Sequence, residues 1–140
     1  RPPRSTLFPY TTLFRSLCQF VYGPTWTLYD GEDTAKMIRS VTGWDITLDE
    51  LMEVGRRRLN LFRVFNVREG LDRKADKLPK KFFKGLQGTG PTAGFALTHE
   101  EVDTAIDTYY KMAGWTSNGV PTPDALKKHG VEWAAEYLPA

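Results

Sequence analysis

Two copies of one short pattern constrain this chain most. Thr47-Leu48-Asp49-Glu50 and Thr98-His99-Glu100-Glu101 each place a hydroxyl three residues before a carboxylate, immediately ahead of an apolar-periodic stretch. The hydroxyl accepts from the exposed amides of a helix's first turn, and the carboxylate reaches back to the capping residue's own N–H. Each pattern therefore starts a helix. The first box predicts a helix over about 48–65, with Leu48, Leu51, Met52, Leu59, Phe62 and Phe65 as its buried face and Arg56, Arg57 and Arg58 across the other. The second predicts a helix reaching about Ala113, with Val102, Ala105, Ile106 and Tyr109 buried and Gly114 as the stop.

The same logic extends along the chain. Asp30 can cap a helix to Thr42 that carries Ala35, Ile38 and Val41 at three- to four-residue spacing and stops at Gly43. Thr122-Pro123 supplies a cap and a first-turn proline for a short helix ending at Gly130, and Glu132–Leu138 adds a final turn or two. Leu17–Tyr22 is an apolar run too short to type by period. No segment reads as a strand, so the expected class is all-α: an irregular multi-helix domain with a long Gly/Lys/Pro-rich loop over 69–94. A loop of that length is uncommon inside a compact domain, and it fits a surface that packs on a further domain.

Residues 1–16, RPPRSTLFPYTTLFRS, break register with everything after them: no helical period, no acid, and two Thr-Leu-Phe repeats. Residue for residue, the string is the translation of a short-read sequencing adapter. It is excluded here as non-native, leaving 17–140 as the domain to explain. Its three arginines also account for the net charge of +2, because the rest of the chain holds 16 basic against 17 acidic side chains. That balance argues against nucleic acid as a partner. No apolar run is long enough to span a bilayer, so no membrane role is expected.

A single cysteine, Cys18, forbids an internal disulfide and fits a reducing compartment. With only His99 and His129 beside it, the chain cannot assemble a complete soft-metal site by itself. Other polar features read more simply as structure. Gly85–Gly90 lacks the flanking strand and helix of a phosphate loop. Arg56–Arg58 and Lys80-Lys81 are solvated faces or partner sites. His99 and His129 belong to the surface, Arg68 and Glu69 form an ion pair, and Trp26, Trp44, Trp115 and Trp133 serve as core or docking aromatics.

From Leu17 on, a series of motifs occurs in order: Leu17-Cys18 then Phe20; Thr42-Gly43-Trp44-Asp45-Ile46-Thr47; Leu61-Phe62-Arg63; Phe65-Asn66-Val67-Arg68-Glu69-Gly70; Arg73, Asp76 and Leu78-Pro79; Tyr109-Tyr110; Gly114-Trp115; and Gly119-Val120-Pro121-Thr122. In that order they resemble the C-terminal domain of the aldehyde:ferredoxin oxidoreductases. The resemblance implies a parent enzyme that oxidises aldehydes to carboxylic acids. Its cofactors would be a tungsten (or molybdenum) bis-pterin and a [4Fe–4S] cluster, and ferredoxin would accept the electrons.

It also implies that Cys18 is the fourth cluster ligand, completing an Asp-x-x-Gly-Leu-Cys motif, with Leu17 at the pterin-contacting position. The motif's Asp and Gly positions fall on Leu13 and Ser16, inside the adapter-like string. The resemblance puts no catalytic residue in this chain. By it, the missing N-terminal domains are the chain's first partner, the isolated chain is inactive, and the parent is a cytoplasmic prokaryotic enzyme with room for homo-oligomerisation. Two other readings stand beside it: a free-standing helical interaction module, and a related tungsten enzyme with another carbonyl substrate.

Overall fold

The computed structural model describes residues 29–139, and these are all-α, with no strand among them. Four α-helices follow in order: α1 (Gly31–Thr42), α2 (Leu48–Arg68), α3 (His99–Ala113) and α4 (Pro123–Lys128). Three 3₁₀ segments, Arg73–Ala75, Lys80–Phe83 and Glu132–Tyr137, complete the set.

The predicted start signals are built as expected. Asp30, Thr47 and Thr98 each close a reciprocal capping box, with Asp33, Glu50 and Glu101 respectively. Thr122 accepts from the Ala125 amide ahead of the first-turn proline of α4. Gly43 and Gly114 end α1 and α3 in the left-handed region, at φ 69° and 71°, which costs a residue without Cβ little. The second capping glutamate illustrates the local electrostatics. Hydrogen bonds from the Thr98 amide and hydroxyl hold Glu101 below the usual carboxylate range, so it stays ionised at the positive end of the helix.

The apolar interior is divided. One cluster joins Val64 of α2 to Leu126, Val131 and Ala134 of the C-terminal segment. The other joins Val102, Ile106 and Tyr110 of α3 to Leu78, Phe83 and Leu97 from the long loop, with Tyr109 and Trp115. Ala35 of α1 and Ile46 of the α1–α2 link are buried separately, and Arg39 Nη1 donates to the Ile46 carbonyl at 2.8 Å.

Two expected buried faces need correcting. In α2, Phe62 and Phe65 are 42% and 51% exposed, whereas Asn60, Arg63, Val64 and Val67 are buried. The inward face is mixed: Val64 packs on Leu126, Val131 and Ala134, while Arg63 beside it pairs with Asp76 from the loop. In α3, Ala105 is exposed and Tyr110 takes the buried position, with Tyr109 half-buried beside it. The 69–94 stretch is an ordered loop holding two 3₁₀ turns.

Candidate functional site

Leu17 and Cys18, the two residues expected to touch cofactors, lie outside the described residues, as does Trp26. Among the described residues, no group of three or more His, Cys, Asp or Glu side chains could hold a metal ion.

What the described chain does build is a buried polar knot between its two apolar clusters. Arg63, on the inward face of α2, sits at its centre with a side chain only 5% exposed. Its Nη1 lies 2.7 Å from Asp76 Oδ2, its Nε donates to the Gly119 carbonyl at 2.5 Å, and its Nη2 donates to Tyr110 Oη at 3.2 Å. The Tyr110 hydroxyl in turn donates to Asp76. The guanidinium plane also lies over the Trp115 ring at 5.2 Å. Trp115 Nε1 donates to Asn60 Oδ1 at 2.9 Å, and Asn60 Nδ2 donates to the Arg56 carbonyl at 3.0 Å.

The knot binds four stretches distant in sequence. Arg63 and Asn60 come from α2, Asp76 from the loop, Tyr110 from α3, and Gly119 from the turn after α3. Arg73 adds a second tie. Its backbone amide donates to the Asn118 carbonyl at 3.2 Å, and its guanidinium pairs with Asp107 at 2.5 Å. Gly119 is required at its place: φ is +77°, and a Cβ there would come within 2.0 Å of Arg63 Nη2 and 2.6 Å of Tyr110 Oη.

Its electrostatics are those of a lock. One cation and one anion are buried together, and among the described residues no buried side-chain nitrogen or oxygen lacks a partner. Burial first, and then the hydrogen bond to Asp76, push the Tyr110 phenol far above its ordinary value. It therefore remains a proton donor and cannot act as a base near neutrality. The knot positions backbone from several stretches of the chain.

A second buried contact corrects the surface assignment of His129. The residue is 7% exposed, and its Nδ1 lies 2.6 Å from Glu53 Oε1 across the α2–α4 junction. Arg57 Nε donates to the His129 carbonyl at 3.0 Å, which caps the end of α4. Burial tends to raise the Glu53 carboxyl, but the hydrogen bond and charge of His129, aided by Arg56, bring it below its ordinary value. A depressed carboxylate stabilises the fold above its unfolded-state pKa and loses that contribution as pH falls through the folded value. Glu53→Gln should thus lower stability by about 1 kcal/mol near pH 7. The difference from wild type should begin to shrink as pH falls to the ordinary carboxylate range and close only below the lowered folded value, as urea midpoints measured down the acid range will show.

Arg68 and Glu69 pair at 3.0 Å, as expected. His99 stacks on Phe83 with ring centroids 4.0 Å apart. Arg56 pairs with Glu53, and Arg58 lies over the Phe62 ring at 4.9 Å. Trp115 is packed in the interior, while Trp44 and Trp133 are 59% and 58% exposed. Lys80 and Lys81 are exposed. Arg63, Asp76 and Tyr110 all lie in the family-like motifs, but nothing in those motifs shows that they meet. Their separations of 47 and 34 residues fall outside every local pairing rule.

Comparison with known proteins adds a consistent set of findings. The family model described as aldehyde ferredoxin oxidoreductase, domains 2 and 3, matches residues 10–131, starting inside the adapter-like string. The chain is 35% identical over 102 residues to a tungsten-containing aldehyde ferredoxin oxidoreductase of Pyrococcus horikoshii, covering 72% of this chain and 16% of that protein. It is 28% identical over 121 residues to an aliphatic sulfonate oxidoreductase, WOR-like subunit, of Pyrococcus furiosus, covering 82% of this chain and 18% of that one. Among solved structures, the active-site complex BamBC of benzoyl coenzyme A reductase with 1,5-dienoyl-CoA matches with a TM-score of 0.60 at 24% identity. That match covers 77% of this chain and 15% of the other, and it speaks for the fold alone. The chain thus spans about a sixth of the length of the relatives it matches.

Proposed function

This chain belongs to the aldehyde ferredoxin oxidoreductase family, and from that premise we propose that it is part of a tungsten-dependent enzyme that oxidises aldehydes to carboxylic acids. The family match over 10–131 carries the proposal. Relatives at 28–35% identity that are oxidoreductases by name support the same reading. In the parent, RCHO and water give RCOOH, two protons and two electrons, and ferredoxin takes the electrons one at a time. A tungsten bis-pterin, when bound, supplies the oxidation chemistry, and a [4Fe–4S] cluster relays the electrons.

Within that reading, Cys18 is the fourth cluster ligand and Leu17 contacts a pterin; the described helices wall the cofactor region. The knot at Arg63 suits such a wall, since a fully satisfied buried network holds four chain segments in one arrangement. Molybdenum in place of tungsten, a homo-oligomeric parent and a cytoplasmic location belong to the same proposal. The aliphatic sulfonate relative supports a second substrate class for the parent, with the same oxidoreductase chemistry.

Two measurements test this. The isolated chain, lacking most of a relative's length, is predicted to show no aldehyde-dependent reduction of benzyl viologen. Turnover by the purified chain would sink the assignment of the cofactors to other domains. Sequencing the native DNA upstream of the Leu17 codon is predicted to give Asp-x-x-Gly running into Leu17-Cys18 in place of the adapter-like codons. A start codon just ahead of genuine 1–16 codons would instead make the chain a free-standing helical module.

A further inference from the structure

The 71–97 stretch combines features that neither the fold nor the knot uses. Its backbone is pinned shut: Leu97 N donates to the Phe82 carbonyl at 3.0 Å, Leu86 N to that of Phe95 at 3.0 Å, and Gly94 N to that of Leu86 at 2.9 Å. Phe83 turns inward, onto the Val102–Ile106–Tyr110 cluster and His99. Its neighbours do the opposite. Phe82, Leu86 and Phe95 are 39%, 51% and 60% exposed. An ordered loop that holds three large apolar side chains in solvent has the central feature of a protein interface.

Charge supplies the rim and the sign of the partner. Lys74, Lys77, Lys80, Lys81 and Lys84 are all exposed, and none has an ion-pair partner among the described residues. The two acids of the stretch are already engaged: Asp72 accepts from the Lys74 amide, and Asp76 is held in the Arg63 knot. Five positive charges around an apolar centre are therefore without an acidic partner among the described residues. They complement an acidic surface, and such pairing steers encounter and fixes orientation. The cations are lysines, without the guanidinium fork that favours phosphate, and the chain's small net charge gives little general attraction for polyanions. A protein fits better than a nucleic acid.

We infer that this loop is the docking surface for a small acidic protein, the electron-accepting ferredoxin of the parent enzyme. The inference rests on the function proposed above. It is tested on the full-length protein by acetylating surface lysines with and without a 2[4Fe–4S] ferredoxin. The second arm is a Lys80→Glu/Lys81→Glu/Lys84→Glu variant assayed with ferredoxin and with benzyl viologen.

Lys80, Lys81 and Lys84 should label readily in the free protein and be protected by ferredoxin at low salt but not at high salt. The variant should raise the KM for ferredoxin at least about tenfold and leave the viologen rate unchanged. Lysines that resist labelling in the free full-length protein would mean that its own domains cover the loop, and the inference would be overturned. Equal labelling with and without ferredoxin, or equal protection by duplex DNA, would overturn it too. Failure of aldehyde-dependent viologen reduction would instead remove the proposed function, while the labelling pattern would still decide whether an acidic protein docks here.

Discussion

Arg63→Ala should destabilise the fold by about 3–5 kcal/mol, because it strands a buried carboxylate whose partner has gone. Asp76 is nearly enclosed, and after the substitution it keeps, among the described residues, only the Tyr110 hydroxyl as a side-chain donor. The loss extends to the Gly119 carbonyl and to the Tyr110 hydroxyl, both of which accept from the same guanidinium. A cost of this size is a large fraction of a domain's net stability, about 5–15 kcal/mol. Urea unfolding should show a midpoint shifted far down or no cooperative transition at all.

Arg63→Lys separates charge from geometry. It keeps the cation but loses the fork that serves three acceptors at once, so it should recover only part of the stability. Gly119→Ala should act on the same network from the other side, through the overlap with Arg63 Nη2 and the unfavourable φ. The double variant should cost less than the sum of the singles, since each breaks the same contacts. Wild-type stability in Arg63→Ala would mean that the knot closes in some other way.

The second large effect concerns Cys18. In the full-length protein, Cys18→Ala is predicted to remove the iron–sulfur cluster, taking bound iron from about four atoms per chain to near none. Ferredoxin reduction should fall to background with it. Far-ultraviolet circular dichroism should change little if the thiolate acts as a ligand and not as packing. Unchanged iron and an unchanged electron paramagnetic resonance signal would remove Cys18 from the cluster.

Legibility of this fold divides by the range of the interaction. Helix starts were readable because a capping box is written within four residues, as at Thr47–Glu50 and Thr98–Glu101. Helix stops at Gly43 and Gly114 were readable for the same reason. The buried face of α2 was not. Periodicity pointed to Phe62 and Phe65, but the inward face holds Val64 against the C-terminal segment and Arg63 against Asp76 beyond the helix end, and no local pattern encodes those meetings. His129 was misplaced likewise, because its partner Glu53 is 76 residues away.

Function was legible by another route. The described residues carry no catalytic constellation from which chemistry could be read upward. The ordered motif series identified the family, and the family match then bore out that identification. Arg63, Asp76 and Tyr110 were all inside the quoted motifs, so the signal marking them was present. Their joint role became visible only when the fold brought them together.

The central claim is that the parent of this chain is a tungsten oxidoreductase. The most direct measurement is metal content and turnover of the anaerobically purified full-length protein, expressed with its native upstream sequence. The account predicts about one tungsten and about four iron atoms per chain, with aldehyde-dependent viologen reduction. A folded full-length protein that holds neither metal when both are supplied, and that does not oxidise aldehyde, would contradict it.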